Sequence, residues 1–516
     1  MAERNVLISL TNMKKYFPLK KTKLFQRERL YVKANDGISI DIFEGETFGL
    51  VGESGCGKST LGRVLLQLFS QTDGRTMYYG RTRDDLAPRY VARLLSHLSH
   101  LIQQQKHLES ERQSLQSQYD SLHDEKARWA LIDRLSEATK KARDLYADIA
   151  KIVGGFVACG DPEEVSRVFL AEYHVSVESA RLRRELRALE AICSSLSHEA
   201  EADISPRQKA AAAKRLLKIR GRIPAVKQQL EAADACLKEN RKQVEALRAR
   251  FRGKPEFEEN EKLLDSGIDL SRLTSEEMRI LRKDLQLIFQ DPYSSLNPRM
   301  TVGQLIGEGL LAHDFYHKSS PKMQDYILDV MDSCGLANYM LHRYPHQFSG
   351  GQRQRIGIAR ALALKPRFVV CDEAVSALDV SIQSQVLNLL MDLKEKENLT
   401  YLFISHDLSV IKYISDRIGV MYLGNMVELA TSEELFRNPL HPYTEALLAA
   451  IPTTDVDASR DIVPIEGDIP SAIKPPKGCK FHTRCRYVMD VCRQVTPEFK
   501  EISPGHCVAC HLRNPI

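Results

Sequence analysis

The chain contains 516 residues, enough for roughly two to four domains by length alone. Its 73 Lys and Arg residues nearly balance its 68 Asp and Glu residues, and a net charge of +5 does not suggest a dedicated nucleic-acid binder. No run of eighteen apolar residues occurs, and the first residues lack the apolar core of a signal peptide, which argues against a spanning helix and against export. We expect a cytosolic protein whose 11 cysteines are metal ligands or core residues and not disulfides.

The first functional pattern in chain order is a glycine-rich loop between a strand and a helix. A short apolar strand is predicted at residues 48–51, the sequence then matches G-x-x-x-x-G-K-[ST], and an apolar helix follows at 61–68. The glycines let backbone N–H groups surround the phosphates of a nucleotide, Lys58 reaches the β- and γ-phosphate oxygens, and Ser59 offers its hydroxyl to Mg²⁺. The sequence therefore predicts a nucleotide site built from Gly52, Glu53, Ser54, Gly55, Cys56, Gly57, Lys58, Ser59 and Thr60.

A long helical segment follows the loop. Apolar residues recur every seven positions, and the faces between them are rich in Glu, Lys, Arg and Gln, which is typical of coiled-coil or antiparallel-bundle seams. The heptad positions are Leu94, Leu101, Leu108, Leu115, Leu122, Leu182, Leu189, Leu196, Leu230, Leu237 and Val244. Breaks are predicted at 154–155 and 160–162 and near Pro206 and Pro224. Three or four helices folding back on each other would return the chain to its exit point.

Three later strands are predicted to end in polar side chains. Gln290 follows an apolar strand that includes residues 287–289, and His406 follows a strand at 401–405. A buried-strand run at 368–371 ends in Asp372 and Glu373, and such an end places one carboxylate near a metal ion and the other near a water molecule. A Gln at a strand end is able to ligate Mg²⁺ and orient an attacking water, and a His is able to contact a γ-phosphate. Each of these two residues alone is more often an ordinary solvated or structural side chain.

A helix is predicted to begin after the strand at 287–289 and before the strand at 368–371. Gly350 and Gly351 leave bare backbone N–H groups at its N-terminus, and such a helix end binds an anion, typically a phosphate. The sequence therefore predicts a second phosphate-binding segment, formed by Ser349, Gly350, Gly351 and Gln352.

These patterns, in this order, resemble the ABC-type ATPases, and the chain is most similar to their dipeptide/oligopeptide importer branch. The segments QDPYSSLNPRM at 290–300 and VSALDVSIQ at 375–383 carry the resemblance to that branch, together with HPYT at 441–444. The resemblance implies an α/β fold of the P-loop type, with a RecA-like core, a β-subdomain and a helical subdomain. It also implies ATP and Mg²⁺ as ligands and ATP hydrolysis as the reaction.

The resemblance assigns a role to each residue of the site. Asp372 would hold Mg²⁺ together with Ser59 and Gln290, and Glu373 would polarise the hydrolytic water. His406 resembles the switch histidine of the family, which contacts the γ-phosphate. Positioning and neutralisation of charge would then supply most of the catalysis, because little covalent chemistry is left to the protein in phosphoryl transfer.

Other residues would serve an ATPase dimer or the adenine ring. Asp379 resembles the D-loop residue that crosses to a partner subunit, and the segment 349–352 would bind the γ-phosphate held by the opposite subunit. The active unit would therefore be a head-to-tail dimer with two ATP molecules at its interface. Tyr31, slightly off register, is the nearest candidate for the aromatic residue that stacks on adenine. Ala374 stands where the family usually has Pro, which loosens the turn but removes no catalytic group.

Five cysteines fall within the last 38 residues, in a segment with few apolar residues. Four of them have the spacing C-x5-C-x6-C-x14-C, and a metal centre would hold such a segment together. The resemblance implies a [4Fe–4S] cluster, which some members of the family carry here, and a zinc ion is the alternative because Cys507-x2-Cys510 is flanked by two histidines. The ligands implied by the resemblance are Cys479, Cys485, Cys492 and Cys507.

The spacing of the site residues indicates a large insertion. Lys58 and Gln290 are 232 positions apart, whereas the family connects them within several tens of residues. We predict an N-terminal ATPase part at 1–80, an inserted helical domain at 81–266, the remainder of the ATPase at 267–440 and a cysteine-rich extension at 441–516. A surface arm with a purely structural seam is the favoured interpretation of the insertion, and contact with a permease, a partner ATPase or a regulator is the alternative.

The predicted function is ATP hydrolysis that powers ABC-type import of dipeptides or oligopeptides from the cytoplasmic face of the cell membrane. Expected partners are two permease subunits, a second ATPase subunit and, through the permeases, an extracytoplasmic binding protein. An importer of nickel or another small solute is the first alternative. A chromosome- or DNA-repair-type ATPase is the second, but there the coiled coil lies between the equivalents of Gln290 and Ser349, which are uninterrupted here.

Overall fold

The computed structural model describes residues 5–20, 29–122, 125–201, 206–316, 321–376, 378–450 and 467–513. The chain separates into two compact units. The first unit contains Met1–Gly80, Asp269–Ser271 and Ser275–Ile516, and the second contains Arg81–Ile268 and Arg272–Thr274. Every residue predicted to bind nucleotide or metal belongs to the first unit. In the part of the chain given above, no helix is long and apolar enough to cross a membrane.

The strands of the first unit form two main sheets. In chain order they are β1 Val6–Pro18, β2 Tyr31–Phe43, β3 Thr47–Val51, β4 Asp73–Tyr78, β5 Leu285–Ile288, β6 Phe368–Asp372, β7 Thr400–Ile404, β8 Arg417–Tyr422, β9 Asn425–Thr431, β10 Lys500–Ser503 and β11 His506–Val508. Ile268–Asp269 is a two-residue strand. In the smaller sheet β1 pairs antiparallel with β2 on one side and with β4 on the other.

The larger sheet positions the site. Its strand order is β10-β11-β9-β8-β3-β7-β6-β5, and the five strands from β8 to β5 are parallel. Every residue of β3, β6 and β7 is buried, because parallel strands covered on both faces require continuous apolar runs. The carboxyl ends of these strands lie along one edge of the sheet, where α/β proteins bind their ligands.

Helices cover the sheet of the first unit. The apolar side chains of β6 and β7, such as Val369 and Phe403, belong to one buried cluster with helix residues such as Ile358, Val386 and Ile411. The helices are Lys58–Leu65, Ser275–Leu281, Pro292–Ser295, Val302–Ala312, Pro321–Ser333, Gly350–Leu362, Val380–Glu397, Leu408–Ile414, Ser432–Arg437, Pro442–Ala449 and Asp490–Gln494, with short 3₁₀ turns at Asn338–Met340 and Pro345–Gln347.

Helices make up most of the described residues of the second unit. Two long helices, Pro162–Glu201 and Pro206–Ala249, form an antiparallel hairpin, since ion pairs join Glu164 to Arg250, Glu172 to Arg241 and Glu185 to Arg222. The other helices are Arg83–Leu86, Arg89–Ser96, Leu98–Ser121, Glu125–Val153 and Pro255–Glu261, with a 3₁₀ turn at Gly154–Val157. This unit has a core of its own, in which the ring of Phe156 packs edge-on against Phe169, Phe251 and Phe257.

The predicted break near Pro224 is wrong. The helix Pro206–Ala249 continues through this residue, whereas the breaks at 154–155 and 160–162 and the helix start at Pro206 are present. A proline removes one helical hydrogen bond, but the buried contacts on both sides hold the helix together. Ile219, Ile223, Val226 and Leu230 pack in one cluster against leucines of the facing helix. Tertiary packing therefore overrides the local signal of Pro224.

Candidate nucleotide site

The glycine-rich loop connects β3 to the helix Lys58–Leu65. Gly57 adopts a φ of 103°, and a Cβ there would lie 2.0 Å from the carbonyl oxygen of Ala34. At Gly52 a Cβ would lie 2.2 Å from the carbonyl oxygen of Met421. Because neither oxygen belongs to a flexible side chain, both positions require glycine. The loop predicted from the sequence therefore has the tight backbone that approach to a phosphate requires.

Lys58 and Ser59 begin the helix and have different hydrogen-bond partners. Lys58 is only 5% exposed, and its ammonium donates to the carbonyl oxygens of Gly52 at 2.6 Å and Glu53 at 3.1 Å. The Ser59 hydroxyl donates to Asp372 Oδ1 at 2.6 Å, so β6 brings its carboxylate to the loop. The loop lysine is thus held against the first two residues of the loop, and the serine is paired with the carboxylate predicted to share a Mg²⁺ with it.

Burial sets the charge of two groups in this region. The pKa of Asp372 is raised by burial and by the neighbouring Glu373 carboxylate, while the Ser59 hydroxyl and the Arg63 guanidinium, 3.7 Å away, oppose the rise. A bound cation would favour the charged carboxylate. Burial also raises the pKa of the Cys56 thiol, which disfavours the thiolate form.

Two side chains that follow other strands, Gln290 and His406, meet Glu373. The amide of Gln290 donates to Glu373 Oε2 at 2.6 Å, and Nδ1 of His406 lies 3.5 Å from Glu373 Oε1. Glu373 itself has a φ of 49°, and its N–H donates to the carbonyl oxygen of Ile404 at 3.0 Å. This bond to the end of β7 holds the carboxylate at the sheet edge, where it is placed to act on a water molecule.

The helix predicted at Ser349 begins at Gly350. Ser349 is its N-cap, and a capping box joins the Ser349 hydroxyl to the N–H of Gln352 and the Gln352 side chain to the N–H of Ser349. Ser349, Gly350 and Gly351 line one cavity together with the Glu373 cluster and Asp379. Asp379 in turn caps the helix Val380–Glu397 without a side-chain hydrogen bond to it.

Three predicted residues lie less directly in the site. Tyr31 opens β2, opposite Pro18, with an exposed ring, so its adenine-stacking role stays a prediction. Thr60 lies in the first turn of the loop helix, and Ser54 is exposed in the loop.

The sequence analysis missed two residues that contact the loop. The Arg484 guanidinium donates to both carboxylate oxygens of Glu53, at 2.7 and 3.0 Å. The phenol oxygen of Tyr443 accepts from the Glu53 N–H at 2.8 Å. Both residues lie within segments singled out by family resemblance, HPYT and the first cysteine pair, but no local pattern shows that either one reaches the loop.

The cysteines of the last segment differ in their surroundings, and their assignment as metal ligands stays a prediction. Burial, followed by the charges of Cys492, Cys510 and Cys485, raises the pKa of Cys479 to about 11. Cys507 lies apart, on β11, where Glu501 and Arg417 are the charged groups that influence its pKa. Cys510, unlike Cys507, is among the cysteines whose charges raise the pKa of Cys479 and Cys485. Among the described side chains, no three of His, Cys, Asp or Glu type meet closely enough to hold a metal ion.

Comparison with known proteins agrees with this geometry. The family model described as ABC transporter matches residues 35–156 and 250–376, and that of the oligopeptide/dipeptide transporter C-terminal region matches 427–492. The oligopeptide transport ATP-binding protein AppF of Bacillus subtilis is 52% identical over 253 residues, which cover 48% of this chain and 76% of that protein. A probable peptide ABC transporter ATP-binding protein of Sinorhizobium fredii is 50% identical over 254 residues, covering 49% and 71%.

Among solved structures, a dimeric bacterial ABC transporter cassette aligns with 83% of this chain and 99% of its own, at 15% identity and a TM-score of 0.41. The sequence relatives decide the family, because their identity is high and the alignments cover more than two thirds of each of them. This chain belongs to the ATP-binding subunits of the oligopeptide and peptide ABC transporters, and it has the ATPase cassette of that family.

Proposed function

We propose that this chain binds and hydrolyses ATP to power the import of peptides across the cytoplasmic membrane. The observation that carries the proposal is the meeting of Gln290 and His406 at Glu373, with contacts of 2.6 and 3.5 Å, at the sheet edge that also carries Ser59 and Asp372. The names of the relatives, which are oligopeptide and peptide transport proteins, support the substrate class.

The residues of the first unit fit ATP and Mg²⁺. Ser59 and Asp372 supply a hydroxyl and a carboxylate oxygen, the ligand types that Mg²⁺ prefers, and Gln290 offers a further oxygen nearby. The ion would neutralise charge on the phosphates when bound. The Lys58 ammonium would exchange the carbonyl oxygens of Gly52 and Glu53 for phosphate oxygens, at little cost because both are hydrogen-bond acceptors.

Hydrolysis would be positioned by the Glu373 cluster. Glu373 would accept a hydrogen bond from the attacking water and polarise it, and the Gln290 amide would orient the carboxylate through their 2.6 Å contact. His406, which lies 3.5 Å from Glu373, would contact the γ-phosphate. Each of these side chains follows a different strand, and Glu373 contacts the other two. A change in the contact of one of them with ATP would therefore alter the positions of the other two.

The assembly would be a head-to-tail dimer of ATPase subunits below two permease subunits. The support is the exposed helix start at Ser349 and the Asp379 side chain in the same cavity, which makes no capping hydrogen bond to its own helix. These groups offer contacts to a phosphate and to a partner beyond those that one loop uses. An extracytoplasmic binding protein would deliver the peptide to the permeases. Purification of the tagged chain from native membranes, followed by identification of the co-purifying subunits, tests this part. Recovery of the ATPase without any membrane protein would count against it.

The ATPase part of the proposal has its own experiment. The purified chain should hydrolyse ATP in a Mg²⁺-dependent manner, and peptide uptake into cells should require both this chain and an intact Lys58. Normal uptake in cells that carry only a Lys58→Ala variant would refute the proposal, because the loop could not then bind the phosphates of ATP productively.

The helical unit is proposed to be an insertion at residues 81–266 with a structural, coiled-coil-like seam. Its separate core around Phe156 and the antiparallel ion pairs support this reading. Replacing residues 81–266 by a short Gly-Ser linker tests it. Nucleotide binding should survive the replacement, whereas a chain that no longer binds ATP would show that the segment is part of the ATPase.

A metal centre on the last cysteines is a further part of the proposal. The thiols as they stand do not fit a bound metal, so Cys479, Cys485, Cys492 and Cys510 would have to move together, and no step of hydrolysis runs through the group. Iron and sulfide analysis after anaerobic purification distinguishes [4Fe–4S] from zinc. A Cys510→Ser variant should lose the metal while Cys507→Ser retains it, and the reverse result would restore the original assignment.

A further inference from the structure

The loop between Cys479 and Cys485 is in contact with the phosphate loop. The Arg484 guanidinium meets both carboxylate oxygens of Glu53, and the Arg484 side chain is only 6% exposed. Glu53 is the second residue of the glycine-rich loop, directly after Gly52. A bidentate arginine–carboxylate pair with so little exposure holds both partners in one geometry, unlike a surface ion pair.

Glu53 is held at three points. Besides the pair with Arg484, its N–H donates to the Tyr443 phenol oxygen at 2.8 Å, and its carbonyl oxygen accepts from the Lys58 ammonium at 3.1 Å. Tyr443 is itself fixed, because its ring packs against the rings of Tyr422 and Phe481 at centroid distances of 4.8 and 5.3 Å. The base of the phosphate loop is thus tied to the HPYT helix and to the cysteine-bearing loop.

A second contact joins the same loop to the other end of the phosphate loop. The Lys480 ammonium, also largely buried, lies 3.0 Å from Asp36 Oδ2 on β2. The preceding residue of β2, Asn35, donates from its side chain to the carbonyl oxygen of Gly57 at 3.1 Å. Residues 480–484 therefore contact Glu53 directly. They are connected to Gly57 indirectly, through Asp36 and Asn35 of β2.

The charge of Glu53 makes this contact relevant to nucleotide binding. A carboxylate within a phosphate loop repels the phosphates, and if unpaired it would compete with them for the Lys58 ammonium, which is already at the Glu53 carbonyl oxygen. Arg484 neutralises the carboxylate and occupies both of its oxygens. Among the described residues, Arg484 is the cation that forms an ion pair with Glu53.

We propose that Arg484 is a positioning residue of the nucleotide site: by pairing with both oxygens of the Glu53 carboxylate, it keeps that charge from acting on Lys58 and the phosphates, and so links the order of the cysteine-bearing loop to the affinity for ATP. The inference rests on the proposed function, since it requires ATP at the glycine-rich loop. It assigns the last segment of the chain an effect on nucleotide affinity that needs no metal.

The experiment is a double-mutant cycle on ATP affinity, measured by equilibrium titration of the full chain with a fluorescent ATP analogue. Arg484→Met should raise the Kd by about tenfold or more, because it leaves a carboxylate unpaired beside the phosphates. In the Glu53→Gln background the same substitution should change the Kd by less than about threefold, since no charge remains to be neutralised. Arg484→Lys should fall between, because lysine lacks the bidentate geometry.

The matched control is Arg486→Met, because Arg486 follows the same cysteine pair but makes an exposed ion pair with Glu445 at 3.4 Å. It should leave the Kd unchanged. Equal effects of Arg484→Met in the two Glu53 backgrounds would overturn the proposal, because Arg484 would then act only through general stability. If Arg484→Met does not fold, Arg484→Lys in both backgrounds decides by the same rule. Absence of ATP binding by the unmodified chain would instead overturn the proposed function and this inference with it.

Discussion

The two units of this chain use charged side chains in opposite ways. In the first unit, Asp372 and Lys58 are buried at the carboxyl edge of a parallel sheet and have short contacts to Ser59 and to loop carbonyl oxygens. In the second unit, pairs such as Arg222–Glu185 and Arg183–Asp234 join two helices along an exposed surface. The same residue types thus form a candidate binding site in the first unit, and in the second unit they form exposed ion pairs beside the apolar contact between two helices.

The two units differ because these charged groups of the first are buried, whereas those of the second are in contact with water. A charge removed from water interacts strongly with its neighbours and has its pKa shifted, whereas a pair in water gains little and is screened by salt. We therefore expect substitutions of polar residues in the first unit to change function or pH dependence. In the second unit, apolar residues should carry the stability and ion pairs should carry little.

The largest effect is expected at Glu373. Glu373→Gln keeps the shape of the side chain but removes the carboxylate that would polarise water, so the ATPase rate should fall by about 100-fold or more while ATP binding is retained. Single-turnover ATPase assays and equilibrium binding of the same preparation measure the two quantities. An exposed carboxylate on the same unit, Glu433→Gln, serves as the control and should leave the rate unchanged. Substantial residual turnover in Glu373→Gln would refute the assignment of Glu373.

The seam of the long hairpin should respond to loss of volume. Leu189 is 7% exposed within the cluster that joins the two helices, and Leu189→Ala should destabilise the second unit by about 2–5 kcal/mol. Leu217→Ala is the matched control, because Leu217 is 75% exposed on the facing helix and its loss should cost less than about 0.5 kcal/mol. Hydrogen exchange of the two helices measures the difference. Similar exchange in both variants would mean that the seam is not a packed core.

His441 should make the stability of the first unit depend on pH. Burial lowers the pKa of His441 to about 4, and Nδ1 accepts from the Tyr443 N–H, so the folded state keeps the ring neutral. The nearby Glu428 carboxylate opposes this shift, and it also accepts from the His441 N–H and pairs with His506. The pKa of His441 in the folded state lies below its ordinary value of about 6.5. The neutral ring therefore contributes its full stabilisation of the folded state above about pH 6.5, and this stabilisation is lost as the pH falls toward 4.

The measurement compares unfolding free energies at pH 7.5 and pH 5. His441→Asn keeps an acceptor at this N-cap but removes the titration, so the unmodified chain should lose about 2 kcal/mol more than the variant between the two pH values. His342→Asn, at an exposed position, should behave like the unmodified chain. An identical pH dependence for His441→Asn and the unmodified chain would exclude the buried ring as its source.

Local patterns carried enough information to place the strand-end residues. Gln290, Glu373 and His406 each follow an apolar run, and parallel strands end at the same edge, so their meeting follows from the alternation of strands and helices. The contact of Arg484 with Glu53 spans 431 positions, and no periodicity or spacing connects them. Contacts between segments far apart depend on how the last segment packs on the sheet, and a single sequence does not encode that packing in any local pattern.

The error at Pro224 shows what a local pattern leaves out. Pro224 is a helix breaker by local preference, but the contacts of Ile223 and Val226 with the facing helix decide the outcome. The neighbouring helix, and not the residue itself, determined the structure.

The smallest effect is expected for an ion pair of the hairpin, and it completes the comparison with the Arg484–Glu53 pair. Arg222 and Glu185 approach to 2.6 Å, a distance as short as any in the nucleotide site, but the Arg222 side chain is exposed. A double-mutant cycle with Arg222→Ala and Glu185→Ala should give a coupling of about 0.2–1 kcal/mol in the unfolding of the second unit, which 1 M salt should abolish. A coupling that exceeds this range and persists in salt would show that distance, and not burial, sets the strength of ion pairs in this chain, and the contrast drawn between the two units would then fail.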